Sequence, residues 1–295
     1  MSGLKFYIVD VFAVEKYSGN PLAVVTGSAA LSDVQMQRIA KEMNYSETTF
    51  VLSEAVREGG YDVRIFTPER ELPFAGHPTL GTAYILQKEI IKAPIERVAL
   101  NLKVGQIPVM LYYREGEVEM LWMQQQPPRF LSVLNRETVG EVLGLELRDM
   151  DSRFPVQQVS TGVPFVMVPL RNLDALNRAK VNRDKYFKLI AEMEAKCLFL
   201  FCPETRHPEN HLSARMFADY LGVPEDPATG SANGCLAGYV VEYGYLDSPP
   251  MPLRVEQGHA IARPSLLWLN ASKQQGEISV SVGGQVMLVA HGELL

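Results

Sequence analysis

The stretch EDPATGSANGCLAGY, residues 225–239, decides the fold. An acidic pair runs into a proline, and glycines then recur at 230, 234 and 238 in a segment that otherwise reads as a helix. Residues four apart share one face of an α-helix, so this face carries no side chains. Each glycine costs about 1 kcal/mol relative to alanine in a helix interior, and close approach of other backbone is the expected compensation. Cys235, Leu236, Tyr239, Val240 and Val241 suit burial on the remaining sides. The pattern predicts a helix threaded through a curled sheet, with strands packed on its bare face. Its first turn has a different use. The amides there lack intrahelical partners and the dipole adds positive potential, so the unobstructed Thr229, Gly230 and Ser231 predict a place for a carboxylate or phosphate.

A second opening of the same kind lies about half the chain earlier. Gly76-His77-Pro78-Thr79 begins the main helix of the first half, also after a proline-containing loop, and that helix also carries small residues, Gly81 and Ala83. The match slips by about one residue along the helix. It suggests an internal duplication, two similar lobes related by a pseudo-twofold axis, with two helix N-termini facing one cleft and forming an anion site.

Runs rich in β-branched and aromatic residues predict strands at 6–12, 22–26, 49–53, 61–67, 98–102, 106–113 and 117–123, and later at 156–160, 164–169, 198–202 and 212–217. Further strands are expected near Leu253, Leu266, Ile278 and Val286. Helices are expected at 32–43, where Ser32 is an N-cap candidate, at 79–87 and at 183–195. The polar, proline-rich QQQPPR, residues 124–129, is the candidate linker. The predicted domains are 1–124 and 125–295, the last strand crossing back to the first lobe.

At 295 residues the chain suits two lobes, and 47% hydrophobic with 21% charged residues is ordinary for a soluble protein. No window approaches the apolar length of a membrane span, and the N-terminus lacks the pattern of a secretory signal. A net charge of −6 without a basic cluster excludes the electrostatic footprint of a nucleic-acid binder, leaving a small-molecule partner. Cys197, Cys202 and Cys235 are odd in number and have no close metal-type pairing, which fits the cytoplasm.

Three titratable residues stand at the ends of predicted elements. Glu47 lies where a helix meets a strand, His77 at a helix start where the dipole disfavours its charged form, and Asp226 before Pro227, where it could equally be a turn or capping residue. Each alone has an ordinary structural reading. Together at the mouths of the two special helices, they could take a proton from a carbon acid and return it elsewhere, provided partial burial brings the glutamate's pKa toward neutrality. Other signals are weaker. His207 and His211 are four apart, but the intervening glutamate is misplaced for HExxH and Pro208 intervenes, so a surface loop is favoured over a metal. The serine at 231 does not fit GxSxG, no nucleotide-binding glycine motif is present, and Cys235 reads as a core residue. No cofactor and no metal are implied.

Four ordered motifs, Tyr17-Ser18-Gly19-Asn20-Pro21-Leu22-Ala23-Val24, Ser46-Glu47-Thr48-Thr49-Phe50-Val51, Glu71-Leu72-Pro73-Phe74-Ala75-Gly76-His77-Pro78-Thr79 and Asp226-Pro227-Ala228-Thr229-Gly230-Ser231-Ala232, resemble those of the PhzF family of phenazine-biosynthesis-like isomerases, a likeness that covers nearly the whole chain and ends with Gly283-Gly284-Gln285-Val286. The resemblance implies an α+β, diaminopimelate-epimerase-like fold: two lobes, each a curled, mostly antiparallel sheet around a central helix, in a homodimer. It implies a cofactor-free isomerase that shuttles a proton on a small carboxylate-bearing substrate between the lobes. Glu47, His77 and Asp226 match the family's catalytic positions, and Asn20, Gly76, Pro78, Thr229, Gly230 and Ser231 are the expected substrate contacts. Epimerases and racemases of this fold carry a cysteine at each helix mouth, where Ala75 and Thr229 stand here, which argues against a two-thiol epimerase; an epimerase or racemase is the alternative within enzymes, and the missing thiols are what discriminates it. A ligand-binding or scaffold protein that kept the fold is the alternative outside them.

Overall fold

The computed structural model describes residues 4–247 and 250–295. The chain divides into two compact units, Met1–Gln124 with Gly283–Leu295, and Gln125–Val282.

The first unit contains β1 (Leu4–Val11), β2 (Asn20–Val25), α1 (Asp33–Met43), β3 (Glu47–Val51), β4 (Tyr61–Phe66), β5 (Glu71–Leu72), α2 (Gly76–Ile85), β6 (Arg97–Leu102), β7 (Gly105–Arg114) and β8 (Glu117–Gln124). The C-terminal strand Val286–Leu294 pairs antiparallel with β1, and β1 antiparallel with β2. From there β2–β3 is parallel, β3–β4 antiparallel, β4–β6 parallel, and β6–β7 and β7–β8 antiparallel, with β5 added to β4. The sheet curls around α2, which touches β1, β2, β3, β6, β7, β8 and the C-terminal strand, and all ten of whose residues are buried. On the other face Met36 and Ala40 of α1 pack on Val25, Phe50 and Phe66. Ser32 caps α1 as expected, its hydroxyl accepting from the Gln35 amide while the Gln35 side chain accepts from the Ser32 amide. Expected to start at Thr79, α2 starts at Gly76 and takes Pro78 into its first turn, where a missing N–H leaves no broken bond.

The second unit contains β9 (Arg129–Val133), α3 (Arg136–Leu143), β10 (Gln157–Ser160), β11 (Pro164–Pro169), α4 (Leu173–Arg178), α5 (Arg183–Ile190), β12 (Cys197–Cys202), β13 (Leu212–Ala218), β14 (Val223–Asp226), α6 (Gly230–Tyr243), β15 (Leu253–Gln257) and β16 (Ser265–Gln274), followed by β17 (Glu277–Gly284); the C-terminal strand is β18. Along β9-β10-β11-β12-β13-β15-β16 the pairings are antiparallel, antiparallel, parallel, antiparallel, parallel and antiparallel, with β14 added to β13. This is the same succession of senses as β18-β1-β2-β3-β4-β6-β7 with β5 on β4, so the suspected duplication is real in topology. One face of the sheet holds α6; Val139 and Leu143 of α3, Leu176 of α4, and Tyr186 and Ile190 of α5 pack with Leu198 and Leu200 on the other. With both faces covered, all six residues of β12 are buried. Helices α3 and α4 were not foreseen, and α5 is shorter than expected.

The bare face of α6 is covered, but strands are not what cover it. A Cβ added at Gly234 would lie 1.8 Å from Oε1 of Gln125, and one at Gly238 would lie 2.8 Å from Cβ and Cγ of Pro128. The residues read as a linker are therefore packed on α6, with Gln125 Nε2 donating to the Gly230 carbonyl at 3.0 Å and its Oε1 accepting from Thr161 at 2.6 Å. Gly238→Ala is expected to lower unfolding free energy by about 1 kcal/mol, since overpacking costs roughly 1–3 kcal/mol against about 1 kcal/mol gained in helix propensity. Gly234→Ala should likewise destabilise, and adding Gln125→Ala should recover part of the loss. Urea unfolding midpoints check both; an unchanged midpoint for Gly238→Ala would mean that Pro128 yields freely.

Candidate active site

Glu47 opens β3 and His77 is the second residue of α2. Glu47 Oε2 lies 3.3 Å from His77 Nε2, the two side chains being 15% and 6% exposed. Their approach follows from how β3 lies on α2. Two residues along the strand and five along the helix, Thr49 Oγ1 meets Thr82 Oγ1 at 2.8 Å, both side chains buried. Two residues of strand span about 6.6 Å and five of helix about 7.5 Å, so the threonine bridge holds the strand and helix in the register that brings carboxylate and imidazole together.

Asn20, the first residue of β2, is buried and places Nδ2 3.3 Å from His77 Nδ1. It is set in place by Gly19, whose φ of 68° suits glycine and where a Cβ would lie 2.4 Å from the Val11 carbonyl oxygen. An amide nitrogen can only donate, so Nδ1 accepts and the ring proton sits on Nε2, the nitrogen facing Glu47. Burial pushes the His77 pKa down to about 3, so the ring is neutral at neutral pH. The neutral imidazole thus lies beside the Glu47 carboxylate, 3.3 Å away, without carrying a charge of its own.

Asp226 is buried at the end of β14, where Met216 of β13 pairs with it, so it belongs to a strand where a turn had been considered. Its Oδ2 accepts from Thr229 Oγ1 at 2.5 Å. Thr229 is the N-cap of α6 and Ala75 that of α2, and neither makes a side-chain capping bond to its helix. Proline stands two residues before each N-cap, as Pro73 and Pro227, and glycine directly after it, as Gly76 and Gly230. The two mouths correspond without the slip expected along the helices. Gly76, His77 and Pro78 form the first turn of α2, and Gly230 and Ser231 begin that of α6. Neither N-cap is a cysteine. Cys235 is buried, its thiol pushed up to about 12 by burial, and it lies 3.3 Å from the Val159 carbonyl.

Sequence reasoning missed Thr49, Thr82, Asn233 and Gln257. Asn233, four residues after Thr229, donates to the Thr229 carbonyl at 3.0 Å and to Gln257 Oε1 at 2.9 Å. Helical spacing could have found Asn233, but nothing in the strand around Gln257 marks it. His211 Nδ1 accepts from the Arg254 amide at 2.8 Å, so the HPENH histidines serve the loop, and among the described residues no group of three or more side chains is placed to hold a metal.

Two sheets of one topology, each with a buried helix, define the diaminopimelate-epimerase-like fold. A proline racemase from Agrobacterium radiobacter shares it at a TM-score of 0.66 and 9% identity over 99% of this chain and 93% of that one, a likeness of fold alone. The model of the phenazine biosynthesis-like proteins matches residues 9–292. The trans-2,3-dihydro-3-hydroxyanthranilate isomerase of Pseudomonas aeruginosa is 35% identical over 98% of each chain. A PhzF-family phenazine biosynthesis protein of Bacillus anthracis superposes with a TM-score of 0.90 at 30% identity, covering 100% of both chains. The chain belongs to the PhzF family of phenazine biosynthesis-like proteins, and it is an isomerase.

The buried histidine sets a pH dependence of stability. The unfolded ring takes up a proton near pH 6.5 and the folded ring only near 3, so between these values the unfolded state binds more protons and stability falls as pH falls. Relative to His77→Gln, the wild type should lose roughly 1 kcal/mol per pH unit between about pH 6 and 4. Denaturant unfolding of both proteins across that range checks it; parallel curves would show that the ring is not held neutral.

Proposed function

We propose that this isomerase moves a proton between two carbons of a small carboxylate-bearing substrate, with Glu47 as the group that removes and returns it. The observation that carries this reading is the Glu47 carboxylate, largely buried at the end of β3 and 3.3 Å from a buried imidazole at the mouth of α2. Glu47 takes the proton, the C–H electron pair moves into the adjoining unsaturated system, and the same carboxyl group delivers the proton at another carbon, so no redox step or cofactor is required. His77, whose Nε2 lies 3.3 Å from Glu47 Oε2, orients the substrate or assists the transfer beside it. Asn20 sets the His77 tautomer and is itself a substrate contact.

Asp226 orients the substrate or assists the transfer. The first-turn amides of Gly76 and His77, with Pro78 beside them, and those around Thr229, Gly230 and Ser231, are proposed to hold negative charge, as helix N-termini do. A relative at 35% identity is named for an anthranilate-type acid, which supports a cyclic amino or hydroxy acid as the substrate class. The reading includes a homodimer in the cytoplasm. Three buried free cysteines fit a reducing compartment, and no helix among the described residues is long and apolar enough to cross a membrane.

The test is incubation with trans-2,3-dihydro-3-hydroxyanthranilate and other cyclic and acyclic amino or hydroxy acids in deuterium oxide, following carbon-bound deuterium by NMR. The wild type should exchange at least one of them, and Glu47→Gln should exchange it more slowly by a factor of about 10² or more. Equal rates in the two proteins would remove Glu47 from the mechanism. Ligand-induced stabilisation without exchange would favour a binding protein.

A further inference from the structure

Gln257, the last residue of β15, is 1% exposed and uses its whole hydrogen-bonding capacity at the mouth of α6. Its Oε1 accepts from the Thr229 amide at 3.2 Å and from Asn233 Nδ2 at 2.9 Å, and its Nε2 donates to the Asp226 carbonyl at 2.9 Å and to Thr229 Oγ1 at 3.1 Å. The amide's orientation is unambiguous, because a backbone N–H can only donate and a carbonyl oxygen can only accept. Thr229 Oγ1 therefore receives a hydrogen from Gln257, and its own hydrogen goes to Asp226 Oδ2, 2.5 Å away. With the Gln257 donor gone, that hydroxyl is free to turn.

We propose that Gln257 is a positioning residue, which by donating to Thr229 aims the Thr229 hydroxyl at the Asp226 carboxylate and so gives that carboxylate a donor of fixed direction. Its importance for catalysis rests on the role proposed above for Asp226. Several titratable groups lie around this chain of bonds. Cys197 on β12 interacts electrostatically with Asp226, but burial pushes its thiol up to about 12, so it carries no charge near neutrality. The neighbouring Glu225 is occupied by Arg215 of β13 at 2.7 Å, and Glu256 accepts from the Arg206 and His207 amides, Asn210 and Ser213. His259, 4.0 Å from Glu256, has its pKa lowered by burial.

The experiment titrates the Asp226 carboxyl by NMR in full-length protein carrying ¹³C-labelled aspartate, with the signal assigned by its loss in Asp226→Asn. A carboxylate that loses a hydrogen bond to its charged form titrates higher, so Thr229→Val and Gln257→Met should each raise the midpoint by about 1 pH unit. Thr229→Ser should keep it, and Gln257→Met with Thr229→Val together should raise it no further than Thr229→Val alone. If near-ultraviolet circular dichroism shows Gln257→Met unfolded, Gln257→Asn, a neutral amide one methylene shorter that withdraws the donor from Thr229, replaces it, and adding Thr229→Val should again change nothing further. An Asp226 midpoint unmoved by the Gln257 variant, or additive effects of the two substitutions, overturns the proposal. Full deuterium exchange by Asp226→Asn would instead overturn the catalytic reading of Asp226, while the titration still decides what Gln257 does.

Discussion

A helix enclosed by a sheet on nearly every side can neither expose a polar face nor carry bulk where its neighbours come close, and both α2 and α6 obey this constraint. All ten residues of α2 are buried, and in α6 the run from Ala232 to Val240 is buried without a break. Such helices show no amphipathic stripe, and they gain their stability from packing rather than from propensity. Their N-terminal amides, by contrast, have no bonding partner within the helix and emerge at one end of a hydrophobic enclosure. Polar residues collect there because that end is where backbone and side chains both need partners.

The topology is repeated, yet the chemistry at the two mouths differs. β3 begins with Glu47, whereas β12, which holds the same place in its sheet, begins with the buried Cys197. Asp226 stands four residues before Gly230, at the position that Leu72 occupies before Gly76. One unit thus carries its carboxylate on the strand beside the helix, and the other on the short strand leading into it. A duplicated backbone supplies equivalent places, and the side chains put at those places give each mouth its own character.

How far this was legible from sequence can be judged residue by residue. The strands were legible where β-branched and aromatic runs are bounded by turns, as at Pro164–Pro169, where expectation and structure coincide. Helix α3 was missed because Arg136–Leu143 is short and mixes Gly140 with β-branched residues, so its caps, Asn135 and Gly144, were the stronger signals. The glycines of α6 announced a close approach, but sequence spacing cannot say what approaches, and residues 125 and 128 stand more than a hundred positions away. Glu47, His77 and Asp226 were visible as motif residues. The bonds that organise them were not, since Thr49 with Thr82 and Gln257 with Thr229 are long-range pairs of unremarkable residue types.

The two mouths nevertheless share a physical device, reached from different elements. In the first unit the Asn20 amide meets Nδ1 of His77, which puts the ring's hydrogen on the nitrogen facing Glu47. In the second the Gln257 amide donates to Thr229, which sends the hydroxyl hydrogen to Asp226. An imidazole and a hydroxyl can each donate or accept, and left alone in a buried place each would sample both senses. A primary amide fixed by its surroundings removes that freedom at the cost of satisfying its own donors and acceptors, which the four bonds of Gln257 accomplish. In the second unit the Asp226 carboxylate then faces a hydrogen of fixed direction, and in a low-dielectric setting such a preset donor stabilises charge more than a freely turning one. Asn20 comes from β2 and Gln257 from β15, strands that do not correspond in the repeat, so the arrangement was not inherited from the duplication and arises separately in each unit.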